Sequence, residues 1–322
     1  MRVPTVQGSY GDQWSHYELA HTRRLQELHW DRPVCRSASE GASFLNKRRE
    51  AWRRSVVWAE FQTARYWRRA VLARAVDVTQ ADDQRSCLVV APHPDDETFG
   101  CGALMARKRA AGARVDVVVL TDGARSHAGI AQGELAKLRN RELKDACATV
   151  GLERDHLHAL GLSDRSLSKQ TVTVAREVAR LVRMLEPDDV FVTSLFDGHP
   201  DHVAASEAVR EALASLPGPR LLEYPVWSWY RGPLVALEGR RRTARRVLEA
   251  VANLVFPPPA QTVSMAGFRD VKAKAVSAYA TQLEDQVGDG SWAAMPEGFV
   301  ELFLHSDEVF FPQPVRPKRD GK

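Results

Sequence analysis

From residue 87 onward, short β-branched and apolar runs alternate with longer amphipathic segments. The runs 87–91, 114–120, 157–162, 189–193 and 220–226 are too short and too uniformly apolar for surface helices, and read as strands buried on both faces. Between them, 98–111, 134–150, 171–185 and 203–216 read as helices, the last closed by Pro217 and Gly218. This βα alternation predicts an α/β fold: a Rossmann-like, doubly wound, mostly parallel sheet covered on both faces, with right-handed crossovers. Further on, 235–255 reads as one helix carrying Arg240, Arg241, Arg242, Arg245 and Arg246 and ended by three prolines. A last helix is expected over 268–282, and an edge strand over 309–311.

The first 83 residues follow a different pattern. A short helix is expected over 14–30. Over 44–76, Leu45, Trp52, Val56, Ala59, Thr63, Trp67 and Val71 recur at helical steps, with arginines filling much of the rest. Residues 1–76 hold 14 Lys and Arg against 7 Asp and Glu, a local +7 within a chain of net +4, and five of the eight tryptophans. The plain reading is a helix that packs its tryptophans on the main domain and shows its arginines to water. The sharper one is a basic, aromatic surface meeting an anionic membrane or a phosphate-bearing substrate. No helix-turn-helix, zinc finger or RNA-binding signature accompanies the charge, so nucleic acid is not the expected partner. The division expected is a basic, Trp-rich helical extension over 1–83, a main domain over 84–312 and a flexible tail over 313–322. No apolar run approaches the roughly 20 residues of a bilayer span, and the polar start predicts a cytoplasmic protein. Cys35, Cys87, Cys101 and Cys147 are isolated, which argues against a disulfide framework or a cysteine metal site.

The chemistry collects in two loops that each follow a strand. The first, after residue 91, reads Pro92-His93-Pro94-Asp95-Asp96-Glu97; its prolines stop the strand and its acids suit a helix start. The second, Asp197-Gly198-His199-Pro200-Asp201-His202, repeats the His-Pro-Asp theme. Imidazole and carboxylate are the donors of a catalytic zinc with three protein ligands and an open water position. Such a site brings its water to a pKa of about 7. One loop alone is weak, because strand-to-helix turns often carry capping aspartates; two supply more titratable groups than two turns need.

The stretches APHPDDE at 91–97 and GHPDHV at 198–203 closely resemble the PIG-L/LmbE-like zinc N-deacetylases. Thr121-Asp122-Gly123, RNRE at 139–142, Leu160-Gly161-Leu162 with Asp164, and YPVW at 224–227 support the likeness, which covers about residues 84–312. The resemblance implies one Zn²⁺ per chain held by His93, Asp96 and His202. It implies Asp95 as general base, His199 as acid or oxyanion stabiliser, and Asp201 as the group orienting that imidazole. It further implies that Arg139 and Asp164 hold sugar hydroxyls; a structural Arg–Asp pair is the alternative. The expected reaction is removal of acetyl from an N-acetylamino sugar or its conjugate. Amidase action on a thiol conjugate of an amino sugar, or a two-metal phosphoesterase, are the competing readings. Tyr224, Trp227, Trp229 and Tyr230 suit either sugar stacking or a core. His127 is expected to be a solvated loop residue, Glu97 a helix-start or supporting acid, and Tyr279 stands where the family commonly has histidine.

Overall fold

The structure is a computed structural model; it describes residues 59–127, 129–216, 218–237, 244–285, 292, 294–296 and 298–314. The helix expected over 14–30 and the start of the one over 44–76 lie outside the described residues, as do Cys35 and residues 315–322 of the tail.

Eight strands form one sheet in the order β1-β7-β8-β6-β5-β2-β3-β4, where β1 is Val76–Asp77, β2 Cys87–Ala91, β3 Val115–Thr121, β4 Leu157–Leu162, β5 Asp189–Thr193, β6 Arg220–Tyr224, β7 Gln261–Val263 and β8 Glu308–Gln313. The five strands β6-β5-β2-β3-β4 run parallel. Every residue of β2, β3 and β5 is buried, which explains their unbroken apolar character. The chain winds outward from β2 through β3 to β4, then returns to β5 on the other flank of β2. Strand order therefore reverses between β2 and β5, and the crevice at their carboxyl ends is where such sheets bind ligands.

The helices are α1 (59–72), α2 (Thr79–Asp82), α3 (Asp96–Ala110), α4 (Gln132–Thr149), α5 (Thr171–Leu185), α6 (Pro200–Leu213), α7 (Trp227–Arg231), α8 (Ala244–Val255), α9 (Arg269–Ser277), α10 (Ala280–Leu283) and α11 (Phe299–His305). In α5, Val174, Val178, Leu181, Val182 and Leu185 share one face. They close a core with Ala204, Ala205, Ala208 and Val209 of α6 over Leu88, Val90, Val118 and Val190 of the sheet.

Several expected elements differ. The 44–76 helix stops at 72, because Val76 and Val78 donate to Ala260 and Thr262 and so recruit β1 to the sheet. Trp67 is buried, donates from Nε1 to Asn253 O and lies 5.7 Å from Trp229 and 6.0 Å from Phe311, so α1 shares a core with α7, α8 and β8. The strand expected at the edge is interior: β8 runs antiparallel between β6 and β7. The expected 268–282 helix is broken, with Tyr279 at the joint between α9 and α10.

Candidate active site

Two helix starts build the site, one after β2 and one after β5. Pro92 O accepts both N–H and Oγ1 of Thr121, tying the end of β2 to β3. The chain then turns sharply through Asp95, whose φ of 126° is rare for a residue with a side chain and typical of strained positions at functional sites. Asp96 opens α3, and its Oδ2 accepts the His93 N–H at 3.0 Å. After β5, Pro200 at the first position of α6 leaves His199 as its cap, where Nδ1 accepts the Asp201 N–H at 3.3 Å. His202 follows in the first turn.

Asp96 Oδ2 is the meeting point. It stands 3.1 Å from His93 Nδ1 and 3.3 Å from His202 Nε2. His202 Nε2 is buried and makes no hydrogen bond, since its short approach to Asp96 is misaligned for one. Donors about 2.0–2.1 Å from a tetrahedral metal lie roughly 3.3 Å apart, so each of these two separations has the length of a coordination edge. The outer nitrogens are occupied as a metal site requires: His202 Nδ1 lies 2.8 Å from Asp197 Oδ2, and His93 Nε2 lies 3.3 Å from Asp164 Oδ1 and 3.4 Å from Asp201 Oδ2. Each imidazole is thus backed by carboxylate, the arrangement that fixes its tautomer. Burial opposes charge on both rings, but the surrounding carboxylates prevail. They hold His93 well above the ordinary histidine value and His202 at about 9. A divalent cation bound here would displace such protons. His199 lies within reach of the same centre, its ring 4.9 Å from those of both His93 and His202.

Asp95 is buried, and burial pushes its carboxyl up to about 8 against the opposing pull of Arg139. Arg139 Nη2 donates to Asp95 Oδ2 at 3.0 Å and to Pro94 O, while Nη1 donates to Gly123 O. The Asp95 N–H donates to Glu97 Oε2 at 3.1 Å; Glu97 Oε1 accepts from Thr98 Oγ1 and from the Tyr279 hydroxyl. Burial, then the positive charge of His202 and His93, set the His199 imidazole at about 3, against the attraction of Asp201 and Asp96.

All eight residues singled out in the sequence converge here, with altered partnerships. The Asp201 carboxylate accepts the N–H groups of Arg165 and Leu167 and faces His93, while only its backbone N–H reaches His199. Asp164 accepts the Arg125 N–H and faces His93, not Arg139. Sequence reasoning passed over Asp197, whose clue was its place at the head of the second loop. It also left Glu97 and Tyr279 unlinked, because their contact joins residues 182 positions apart. His127 is a correction: it is buried and stacked 4.1 Å from Trp292, since that pairing draws the loop inward. Tyr224, Trp229 and Tyr230 are buried, with Tyr224 Oη donating to Val90 O, which places them in the core.

Residues 88–213, which run from β2 to the end of α6 and include both loops, match the family described as PIG-L: GlcNAc-PI de-N-acetylase. That stretch of the chain is similar to the PIG-L family. Its similarity to the 1D-myo-inositol 2-acetamido-2-deoxy-alpha-D-glucopyranoside deacetylase of Thermobifida fusca is 29% identity over 205 residues, 55% of this chain and 68% of that protein. With the probable N-acetyl-alpha-D-glucosaminyl L-malate deacetylase 2 of Bacillus anthracis it shares 33% identity over 147 residues, 42% of this chain and 62% of the relative. The chain thus spans about two thirds of the length of these relatives. In structure, this chain resembles the N,N'-diacetylchitobiose deacetylase of Pyrococcus horikoshii, with a TM-score of 0.52 at 20% identity over 78% of this chain and 94% of that one, a likeness of fold.

Proposed function

We propose that this chain is a zinc-dependent hydrolase that removes the acetyl group from an N-acetylated amino-sugar conjugate, with one metal held by His93, Asp96 and His202. The observation that carries the reading is the unbonded, buried Nε2 of His202 beside an Asp96 oxygen that also approaches His93 Nδ1. When bound, the cation polarises the amide carbonyl and acidifies a water. Asp95 takes the proton of that water: its carboxyl is poised near neutrality, and Arg139 fixes its direction. Because His199 Nδ1 accepts a backbone N–H, the proton of the neutral ring sits on Nε2, which donates a hydrogen bond to the developing oxyanion, while Asp95 passes the proton it took to the departing amine. Asp164 and Asp201 orient His93, and Asp197 orients His202. Acetate and a free amine result.

A two-metal phosphoesterase is less well served. Two other clusters of possible ligands among the described residues, His93 with His199 and His202 and His93 with Asp164 and Asp201, both draw on His93, which the proposed site already uses. No described helix is long and apolar enough to cross a membrane. The test is acetate release from a panel of N-acetylated sugars together with metal analysis. Asp95→Ala should lose turnover and keep zinc, whereas His202→Ala should lose both. Full deacetylase activity in metal-free His202→Ala protein would sink the assignment.

A further inference from the structure

Two oppositely charged side chains meet in the interior of the molecule. Lys272 of α9 and Glu308, the first residue of β8, are both buried, with Lys272 Nζ 2.8 Å from Glu308 Oε1. Their other hydrogen bonds run to the backbone of α3. Glu308 Oε1 accepts the Ala103 N–H at 2.8 Å and Oε2 accepts the Leu104 N–H at 2.7 Å, while Lys272 Nζ donates to Phe99 O at 2.7 Å. In an unbroken α-helix the N–H of residue 103 is directed at the carbonyl of 99, and that of 104 at the carbonyl of 100. The pair is therefore inserted at this rung of the ladder: Lys272 serves the carbonyl and Glu308 serves the amides. Side chains that enter a helix in this way redirect it. Two glycines lie beside the insertion. A Cβ on Gly102 would stand 3.0 Å from Lys272 Cγ, and one on Gly100 would stand 2.2 Å from the Tyr224 ring. Ahead of the insertion, α3 carries Asp96 and Glu97, and Asp95 O accepts the N–H groups of Thr98 and Phe99.

We propose that Lys272 and Glu308 are positioning residues for the metal site: inserted into α3, they set the direction of its first segment and so place Asp95 and Asp96 against His93 and His202. The inference rests on the reading of Asp96 as a ligand and Asp95 as the base. Stability alone does not account for the pair. Desolvation of two buried charges offsets their attraction, and well-packed apolar residues of similar volume commonly serve a core as well or better. Apolar residues have nothing to offer the Phe99 carbonyl or the two N–H groups, so without the charges the ladder of α3 closes on itself. The route from the insertion to the site is one residue long. Phe99 gives its carbonyl to Lys272 and its N–H to Asp95 O at 2.9 Å, so a rotation of this turn is transmitted to the base and to its neighbour Asp96. Helix α9 holds the same segment at a second point, because Tyr279 just beyond its end donates to Glu97.

The test replaces both charges in the full chain, Lys272→Met with Glu308→Leu. Melting temperature should stay at or above that of wild type. Turnover of an N-acetylated sugar should fall about 100-fold at unchanged KM, and zinc affinity, measured by dialysis against graded chelator, should fall about tenfold or more. A pair that only supports the core would leave kcat and zinc affinity at wild-type values in this variant, and that result overturns the inference. Lys272→Gln with Glu308→Gln keeps a neutral donor and one of the two N–H acceptors, so it should lie between wild type and the apolar protein. If the apolar protein does not fold, this second variant decides: a joint loss of about threefold or more in kcat and zinc affinity at unchanged KM is expected, and wild-type values overturn the inference. Crystal structures of the metal-free wild type and variants give a readout independent of the reaction. The Ala103 N–H should return to Phe99 O, with Asp96 displaced from His202; an unmoved Asp96 overturns the inference whatever the activity. A wild-type chain that binds no zinc would instead sink the deacetylase reading, and the displacement of Asp96 would still decide this one.

Discussion

The Nδ1 of His202 stands 2.8 Å from Oδ2 of Asp197, and this contact decides which nitrogen of the ring is left for a metal. Asp197 is itself held rigidly: its Oδ1 accepts both the N–H and the hydroxyl of Ser228, and both its oxygens accept the Val226 N–H. Asp197→Asn keeps the shape but puts an amide where a carboxylate faced the imidazole. Metal affinity should fall about 10- to 100-fold, with the fold retained. Metal content after dialysis against graded chelator measures this; wild-type retention would remove Asp197 from the site's support.

Gly198 links the second loop to the turn beside α8. Its φ of 72° and the 2.4 Å gap to Val235 O leave no room for a side chain. Gly198→Ala should shift the His199 loop and lower kcat by about 100-fold, the scale expected for a misplacement of about 1 Å. Gly112 is the control, with φ of 81° and nothing within 4 Å of where a methyl group would sit, so Gly112→Ala should cost only about 1 kcal/mol and leave kcat intact.

The parallel core was legible because β2, β3 and β5 are buried on both faces and so spell unbroken apolar runs, while α5 repeats its valines at helical spacing. Both loops were legible because each metal candidate follows a strand end. What escaped depends on contacts distant in sequence. The short β1 exists only because β7 pairs with it, and the break at Tyr279 serves a hydroxyl that reaches Glu97. Proximity in sequence assigns Asp201 to His199. In three dimensions the first turn of α6 aims its carboxylate at His93.

Tyr279 tests the support beneath the Asp95 turn. Its hydroxyl donates to Glu97 Oε1, and the other Glu97 oxygen holds the Asp95 N–H. Tyr279→Phe removes a donor from a buried carboxylate, which costs about 1–3 kcal/mol. A lower melting temperature and a reduced kcat with unchanged metal content are expected. Tyr279→His restores a donor, so it should recover part of both losses; equal damage in the two variants would assign Tyr279 to packing alone.

Arg139 separates two roles by kinetics. Its guanidinium is buried and directed at Asp95, Pro94 and Gly123, an arrangement that positions the proposed base; the resemblance instead implied contact with a sugar hydroxyl. Arg139→Met keeps much of the volume but strands the Asp95 carboxylate without its cation. Breaking a buried pair in this way costs about 3–5 kcal/mol of stability. If Arg139 positions Asp95, kcat should fall by about 100-fold while KM for an N-acetylated sugar and metal content stay near wild type. If it holds the sugar, KM should rise with kcat largely kept. Measuring kcat and KM separately on folded protein, with melting temperature alongside, distinguishes the two, and the contacts to Asp95 favour the first.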